Sequence, residues 1–435
     1  MTRGTRRIIF YVLFGLFFLI GAIVVLYAQG WRLDPKTLRP EKVGAIFVRS
    51  FPGDAAITLD GEAIANQSGF LSRGTLISNL YPRTYALTLA KEGYGEWHEN
   101  VGVAPALVTE LKYAVLVPST STPIATSTSV ARFFVAGDQR VVQTPGGTIV
   151  SRGTRISGAG AMIDASADLG TLLLKNSPGD YALYDLQENT STALLLPRDI
   201  SRIAMDPSDA AKVIAIKNSA VMIADAARAT TTVAASAPAG ISFGKTFSIM
   251  SSVIAWPRSN AVEGLSSLAF YDMFTKTLAR SSGTIPGIVA DVQWVDSARV
   301  GALTADGALY LYDTNARTFT KIAGEVRAFA VAPDLSAIAA LEARSVDVIP
   351  LADTTTYRRF NIPAVADVLR LIWYKDAGHL FLVYPDHASF LDLDDLGLRN
   401  FLTIAEGTSP LYSPSENSFY LINSAQKLIR FDFPQ

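Results

Sequence analysis

The sequence predicts an all-β protein with one N-terminal transmembrane helix: a small β-sandwich, followed by a seven-bladed β-propeller, with eight blades as the alternative. Three observations carry this reading. Residues 8–28 are an uncharged apolar run. Residues 43–117 alternate short strand-like stretches with tight-turn residues. Residues 130–435 repeat with a period of about 40 residues and show no amphipathic helix pattern.

The run Ile8–Ala28 reads IIFYVLFGLFFLIGAIVVLYA. As a helix it is about 31 Å long, enough to cross a hydrocarbon core. Residues 1–7 form a basic tail with Arg3, Arg6 and Arg7. The positive-inside rule keeps that tail cytoplasmic and sends the remainder of the chain outside a plasma membrane crossed once. Tyr27 and Trp31 fall where interfacial aromatics belong. A cleaved signal peptide is the competing reading, but its apolar region is normally shorter and no clear small-x-small cleavage site is present.

Bulk composition narrows the function. Of the 435 residues, 49% are hydrophobic and 18% charged, so a sizeable core is expected. With 38 basic and 39 acidic side chains, the net charge of −1 leaves no electrostatic footprint for nucleic acid. Cysteine is absent, which removes disulfides, thiolate metal sites and cysteine nucleophiles.

In residues 43–117, GAIFVRS (Gly44–Ser50) reads as a strand and Pro52-Gly53-Asp54 as a turn. AAITL is a second strand, Asp60-Gly61 a tight turn, YALTLAK (Tyr85–Lys91) a third strand, and ELKYAVL (Glu110–Leu116) the last. A small antiparallel sandwich follows from that pattern. The residues Pro52-Gly53-Asp54-Ala55, Ile57-Thr58-Leu59-Asp60-Gly61, Leu80-Tyr81-Pro82 and Lys91-Glu92-Gly93-Tyr94 resemble the PEGA domain. Two turns depart from its pattern: the middle of the namesake turn is altered, and Arg83 stands where glycine follows the proline. The motif residues Pro52, Ala55, Asp60, Gly61, Pro82, Gly93 and Tyr94 would be structural. The resemblance implies an extracytoplasmic binding or spacer module without catalysis.

Residues 118–129, PSTSTPIATSTS, are expected to be a linker. In residues 130–435 a small turn recurs after one apolar strand of each unit: ASADLG, MDPSDA, AWPRSN, QWVDSA, VAPDLS, IWYKDA and YSPSEN. Anchored at Ala167, Pro207, Pro257, Val295, Pro333, Tyr374 and Pro414, the steps are 40, 50, 38, 38, 41 and 40 residues. A polar hairpin insertion, Arg258–Ser267, accounts for the long step. Strands ending in Asp185, Asp225, Asp272, Asp313, Asp392 and Asp432 mark the same period, with Pro350 in the fifth unit. Four-stranded units of this length hide their faces by stacking radially. The last unit has only three strands. Residues 131–151 either donate its fourth or build most of an eighth blade. The units resemble tryptophan–aspartate-repeat and TolB-like propellers, with the Trp kept at Trp256, Trp294 and Trp373.

Motifs for chemistry are sparse, and no catalytic, cofactor-binding or metal-binding residue is assigned. His98, His379 and His387 are expected at surfaces or turns, the last two on neighbouring strands of one blade. AGISFGKT (Ala239–Thr246) ends like a phosphate loop but lacks the first glycine and a following helix. DLDDLGL (Asp392–Leu398) offers three carboxylates without the ligand order of a calcium loop. The recurrent aspartates read as turn stabilisers, and Phe270, Tyr310 and Tyr312 as blade core. The expectation is a non-enzymatic, membrane-anchored scaffold with a protein or glycan partner in the cell envelope. A carbohydrate-active envelope enzyme is the alternative, and it would need carboxylates converging on the propeller channel.

Overall fold

A computed structural model describes residues 3–35, 38–69, 73–124, 129–156, 160–362, 368–393 and 401–434. The chain divides into two units. The first comprises residues 1–120 with 390–402 and 433–435, the second residues 121–389 with 403–432.

The first unit opens with the helix Arg3–Ala28. Its segment Ile8–Ala28 has a mean hydropathy of 2.9, and the rest of the protein covers none of it. The short hairpin Trp31–Leu33/Pro40–Lys42 follows, then two sheets. One sheet orders Thr75–Leu80, Gly44–Phe51 and Val108–Val115; the other orders Glu62–Ile64, Ala56–Leu59, Thr84–Ala90 and Trp97–Gly102. Strand Trp97–Gly102 alternates buried and exposed at every residue, as a strand with one face on a core must. Ile46, Ile57, Leu87, Leu89, Trp97 and Val101 fill the space between the sheets. Each such aliphatic or aromatic side chain contributes about 1.5–3 kcal/mol by leaving water. Trp97 Nε1 also donates to Asp392 Oδ2, 3.1 Å away.

The sandwich departs from the expected antiparallel arrangement in one place. Gly44–Phe51 and Val108–Val115 run parallel, with Ala45 opposite Val108. The chain spends the intervening residues in both sheets and returns to the first from the same end, so the closing strand runs in the same direction as the opening one. Asp60 (φ 49°) and Gly61 (φ 85°) both take left-handed backbone, which a two-residue hairpin turn needs.

The second unit holds eight sheets among the described residues, the number given above as the alternative to seven. In chain order their first strands are Arg132–Ala136, Ala161–Ala165, Arg202–Asp206, the split pair Ile241–Phe243 and Ser248–Met250, Val289–Trp294, Ala328–Val331, Arg370–Trp373 and Thr408–Ser413; these define blades 1 to 8. Residues 132–156 make a complete four-stranded blade of their own. The missing strand of blade 8 comes instead from Thr122–Pro123, inside the stretch expected to be a linker, with Thr122 opposite Arg430 and Pro123 opposite Ile429.

Burial follows strand rank. Second strands such as Ala337–Leu341 are buried at all five positions, whereas the fourth strand Thr277–Arg280 is exposed at all four. First strands of adjacent blades approach each other, which places them innermost. Met162 and Leu174 pack with Val141 and Ile149 between blades 2 and 1. Trp256 packs with Ile214 and Ile223 between blades 4 and 3. Phe381 stacks on Phe419 between blades 7 and 8. Phe133 and Val142 of blade 1 pack with Tyr420 and Leu428 of blade 8, so the series of blade contacts returns to its start.

Blade 4 differs from its expected layout. Pro257, read above as a turn anchor, lies within strand Val253–Asn260. The turn is at Ser251 (φ 53°). Ile241–Phe243 pairs with residues 258–260 and Ser248–Met250 with residues 253–255, so Pro257 faces the break between them. A proline lacks the N–H that a continuous neighbour would require there. Gly244 donates its N–H to the Pro257 carbonyl, and a Cβ on Gly244 would lie 2.4 Å from Pro257 Cγ.

Candidate functional site

At one end of the second unit, the turns joining first to second strands in blades 8, 1 and 2 surround a recess of about 430 Å³. Small or apolar groups dominate its wall, including Val135, Ala136, Ala167, Leu411 and Pro414, and Asp168 is its carboxylate. A second cavity of about 170 Å³ shares Gln139 and Asp168 and is bordered by Arg152 and Asn189.

Asp168 is held by its own turn. Ser166 Oγ donates to it at 2.6 Å and the Gly170 N–H at 3.0 Å. Those bonds, the Ser166 hydroxyl first, hold its carboxyl below the usual aspartate range. In the wall of the recess, Tyr412 donates to Asn417 at 2.7 Å and lies 5.4 Å from the ring of Tyr374; burial pushes both phenols up. Tyr420 bridges Arg140 of blade 1 and Glu416 of blade 8.

Acids on the innermost strands are engaged between blades. Asp164 accepts the Met205 N–H at 2.9 Å, and Asp291 accepts Thr246 Oγ1 at 3.0 Å. Arg132 donates to the Met162 carbonyl and Trp373 Nε1 to that of Ala330. These bonds tie neighbouring blades at the axis.

At Asp185, Asp272 and Asp313 the recurrent aspartates behave as the sequence suggested, whereas Asp392 is buried and accepts from Trp97 Nε1 and Asp432 accepts from Ser418 Oγ. Asp185 accepts the N–H groups of Gln187 and Glu188, Asp272 those of Phe274 and Thr275, and Asp313 those of Asn315 and Ala316. In the sandwich, Asp60 accepts the Ala86 N–H at 2.8 Å and pairs with Arg83 at 3.1 Å. Ala55 is buried in its core, Ser50 Oγ donates to the Pro52 carbonyl, and Gly93 turns with φ 83° ahead of Tyr94, which packs on the core. Pro82 lies in the turn between Thr75–Leu80 and Thr84–Ala90. These motif residues lie in turns and in the core.

His98 is exposed beside Glu96 at 3.2 Å. His379 and His387 open consecutive antiparallel strands of blade 7, so they lie at opposite ends of the sheet, about 15 Å apart by strand length. His379 is buried rather than at a surface, because its Nδ1 meets the Asp376 carboxylate at 2.9 Å. Among the described residues no group of His, Asp or Glu is arranged to hold a metal ion. Asp394 and Asp395 of the acidic turn lie outside the described residues, and strands, not a helix, flank Gly244-Lys245-Thr246.

No protein-family model and no curated protein matches the chain. Solved structures do. An oligogalacturonate lyase in complex with manganese is 13% identical, with a TM-score of 0.51, covering 73% of this chain and 98% of its own. The Vibrio parahaemolyticus oligogalacturonate lyase is 11% identical at a TM-score of 0.47, covering 73% and 99%. The β-propeller domain of Cps50 (Swd1) from Myceliophteria thermophila is 11% identical at 0.42, covering 72% and 99%. The lyase at a TM-score of 0.51 corrects the expectation of a non-enzyme: an enzyme shares this fold, so scarce motifs in the sequence do not exclude catalysis. By fold, the chain is an all-β propeller protein with one N-terminal apolar helix.

Proposed function

We propose that the chain is a single-pass plasma-membrane protein whose sandwich and propeller stand outside the cytoplasm and bind a protein or glycan of the cell envelope. The apolar, uncovered span Ile8–Ala28 behind a basic tail supports the anchoring, and the PEGA-like turns support a spacer or binding role for the sandwich. The recess at the turns of blades 8, 1 and 2 carries the binding reading. It is open, walled mainly by small side chains, and its carboxylate Asp168 is already occupied by its own turn.

The test uses the full chain in its native membrane. Photocrosslinking from Ser415, on the opposite wall of the recess, would capture a defined envelope protein or glycan strand, and Ala167→Trp, which fills the recess, would abolish that capture. Undiminished capture by Ala167→Trp would refute the recess as the binding site. Labelling of Phe274→Cys by an impermeant maleimide only after permeabilisation would refute the topology.

A further inference from the structure

The recess at the turns of blades 8, 1 and 2 does not end at Asp168. The cavity of about 170 Å³ that shares Gln139 and Asp168 with it lies between blades 1 and 2. Its far side is made by turns joining third to fourth strands: Arg152 follows Ile149–Ser151 in blade 1, and Gln187 and Asn189 follow Asp180–Asp185 in blade 2. Those turns stand two strand spacings farther from the axis than the turns lining the recess, about 10 Å. The two spaces therefore form one groove that runs outward along the cleft between blades 1 and 2, with Asp168 where they meet. Together they fall within the range of small-ligand sites, about 300–1,000 Å³.

Polar groups of the outer part keep unused bonding capacity. Both bonds to Asp168 fall on Oδ1, from Ser166 and Gly170, so Oδ2 accepts nothing among the described residues. The side chains of Gln139, Arg152 and Gln187 make no hydrogen bond or ion pair among the described residues, and Asn189 uses only its Oδ1, toward Tyr184. A carboxylate accepts, a guanidinium donates and an amide does both, which together match a set of hydroxyls that each donate and accept. Arg152 offsets the charge of Asp168, so the groove favours neither an anion nor a cation. A protein partner wants a different surface, because interface anchors are large apolar, aromatic or arginine side chains seated in dry pockets. Here Leu169 and Tyr412 are buried and Leu186 and Leu411 half-buried, and what faces the groove is mostly amide, hydroxyl and small side chains.

We infer that the groove binds a neutral glycan, with one sugar ring in the outer cavity against Asp168 Oδ2, Gln139, Arg152 and Gln187, and its neighbour in the recess. This rests on the binding role proposed for the recess above and names the class of its ligand.

The test records saturation-transfer spectra of the full-length chain in nanodiscs with maltotetraose, mannotetraose and chitotetraose, and with tetragalacturonate as the anionic control. The expected result is transfer to at least one neutral tetrasaccharide and none to tetragalacturonate. Gln187→Ala and Arg152→Gln should each weaken binding of that tetrasaccharide at least about threefold, the usual loss for one hydrogen bond, with the melting temperature unchanged. Transfer to none of the neutral probes, equal transfer to tetragalacturonate, or undiminished binding by both variants overturns the inference. The recess reading is judged separately by crosslinking from Ser415: capture of a protein that Ala167→Trp abolishes leaves that reading standing and overturns this one, whereas no capture at all overturns both.

Discussion

Thr122 lies opposite Arg430 in blade 8, although 308 positions separate them in the chain. The neighbouring core explains how so short a strand holds. Leu428 is fully buried, its carbonyl accepts the Ile124 N–H at 2.9 Å, and Val130, Phe133 and Tyr420 pack around it. Closure thus rests on a cluster shared by the first and last blades, with two backbone pairs setting its register.

Leu428→Ala should therefore lower propeller stability by about 3 kcal/mol, the usual cost of a cavity at a filled site. Denaturant unfolding of the full chain in nanodiscs measures it. A loss below about 1 kcal/mol would show that closure does not depend on this cluster.

Trp256 is fully buried between blades 3 and 4, and its Nε1 has no hydrogen-bond partner among the described residues. Trp256→Ala should cost about 3–5 kcal/mol. Trp256→Phe removes an unsatisfied donor along with some volume, so its loss should stay within about 1.5 kcal/mol. Phe274→Ser, at a site 87% exposed, should change stability by less than about 0.5 kcal/mol. Thermal melts of the three variants check the ranking.

Arg359 grips Asp347 with two nitrogens, at 2.8 and 2.7 Å, across strands of blade 6, and also reaches Glu342. Asp347 is buried while Arg359 is nearly half exposed. Arg359→Ala leaves that carboxylate unpaired and should cost about 2 kcal/mol, below the figure for a fully buried pair because water reaches the arginine. Arg359→Lys should recover only part of it, since an ammonium cannot make the two-pronged contact. Equilibrium unfolding of both variants decides this.

The turn aspartates set a pH dependence. The Phe274 N–H holds Asp272 below the ordinary range, the Ser166 hydroxyl does so for Asp168, and Lys212 for Asp209. A carboxyl whose pKa is lower in the folded state adds stability above its unfolded value of about 4, and the gain is lost as pH falls through the lowered value. Melting temperature should hold between about pH 7 and 5 and decline below about 4. Asp272→Asn should shallow that decline without moving the plateau slope, as melts across the pH series will show.

The repeat was legible because several blades obey the same local chemistry. An aspartate accepting N–H groups two and three residues onward leaves a mark that a single sequence displays, as at Asp185, Asp272 and Asp313. The Asp60-Gly61 turn was readable for the same reason. Thr122–Pro123 was not, because a two-residue strand has no period and its partner is remote. Pro257 misled because the residue that marks turns elsewhere is tolerated here by a break in the neighbouring strand. His379 looked like a surface residue because nothing local announces that Asp376 compensates its burial. The recess was invisible for a related cause: its wall joins turns of blades 8, 1 and 2, which are separated by most of the propeller sequence.

The strand Thr122–Pro123 is among the earliest parts of the propeller to be synthesised, and its partner Leu428–Asp432 among the latest. A growing chain therefore carries seven blades' worth of apolar faces with the seam still unsealed. Whatever guards the nascent polypeptide must hold it until Leu428–Asp432 arrives.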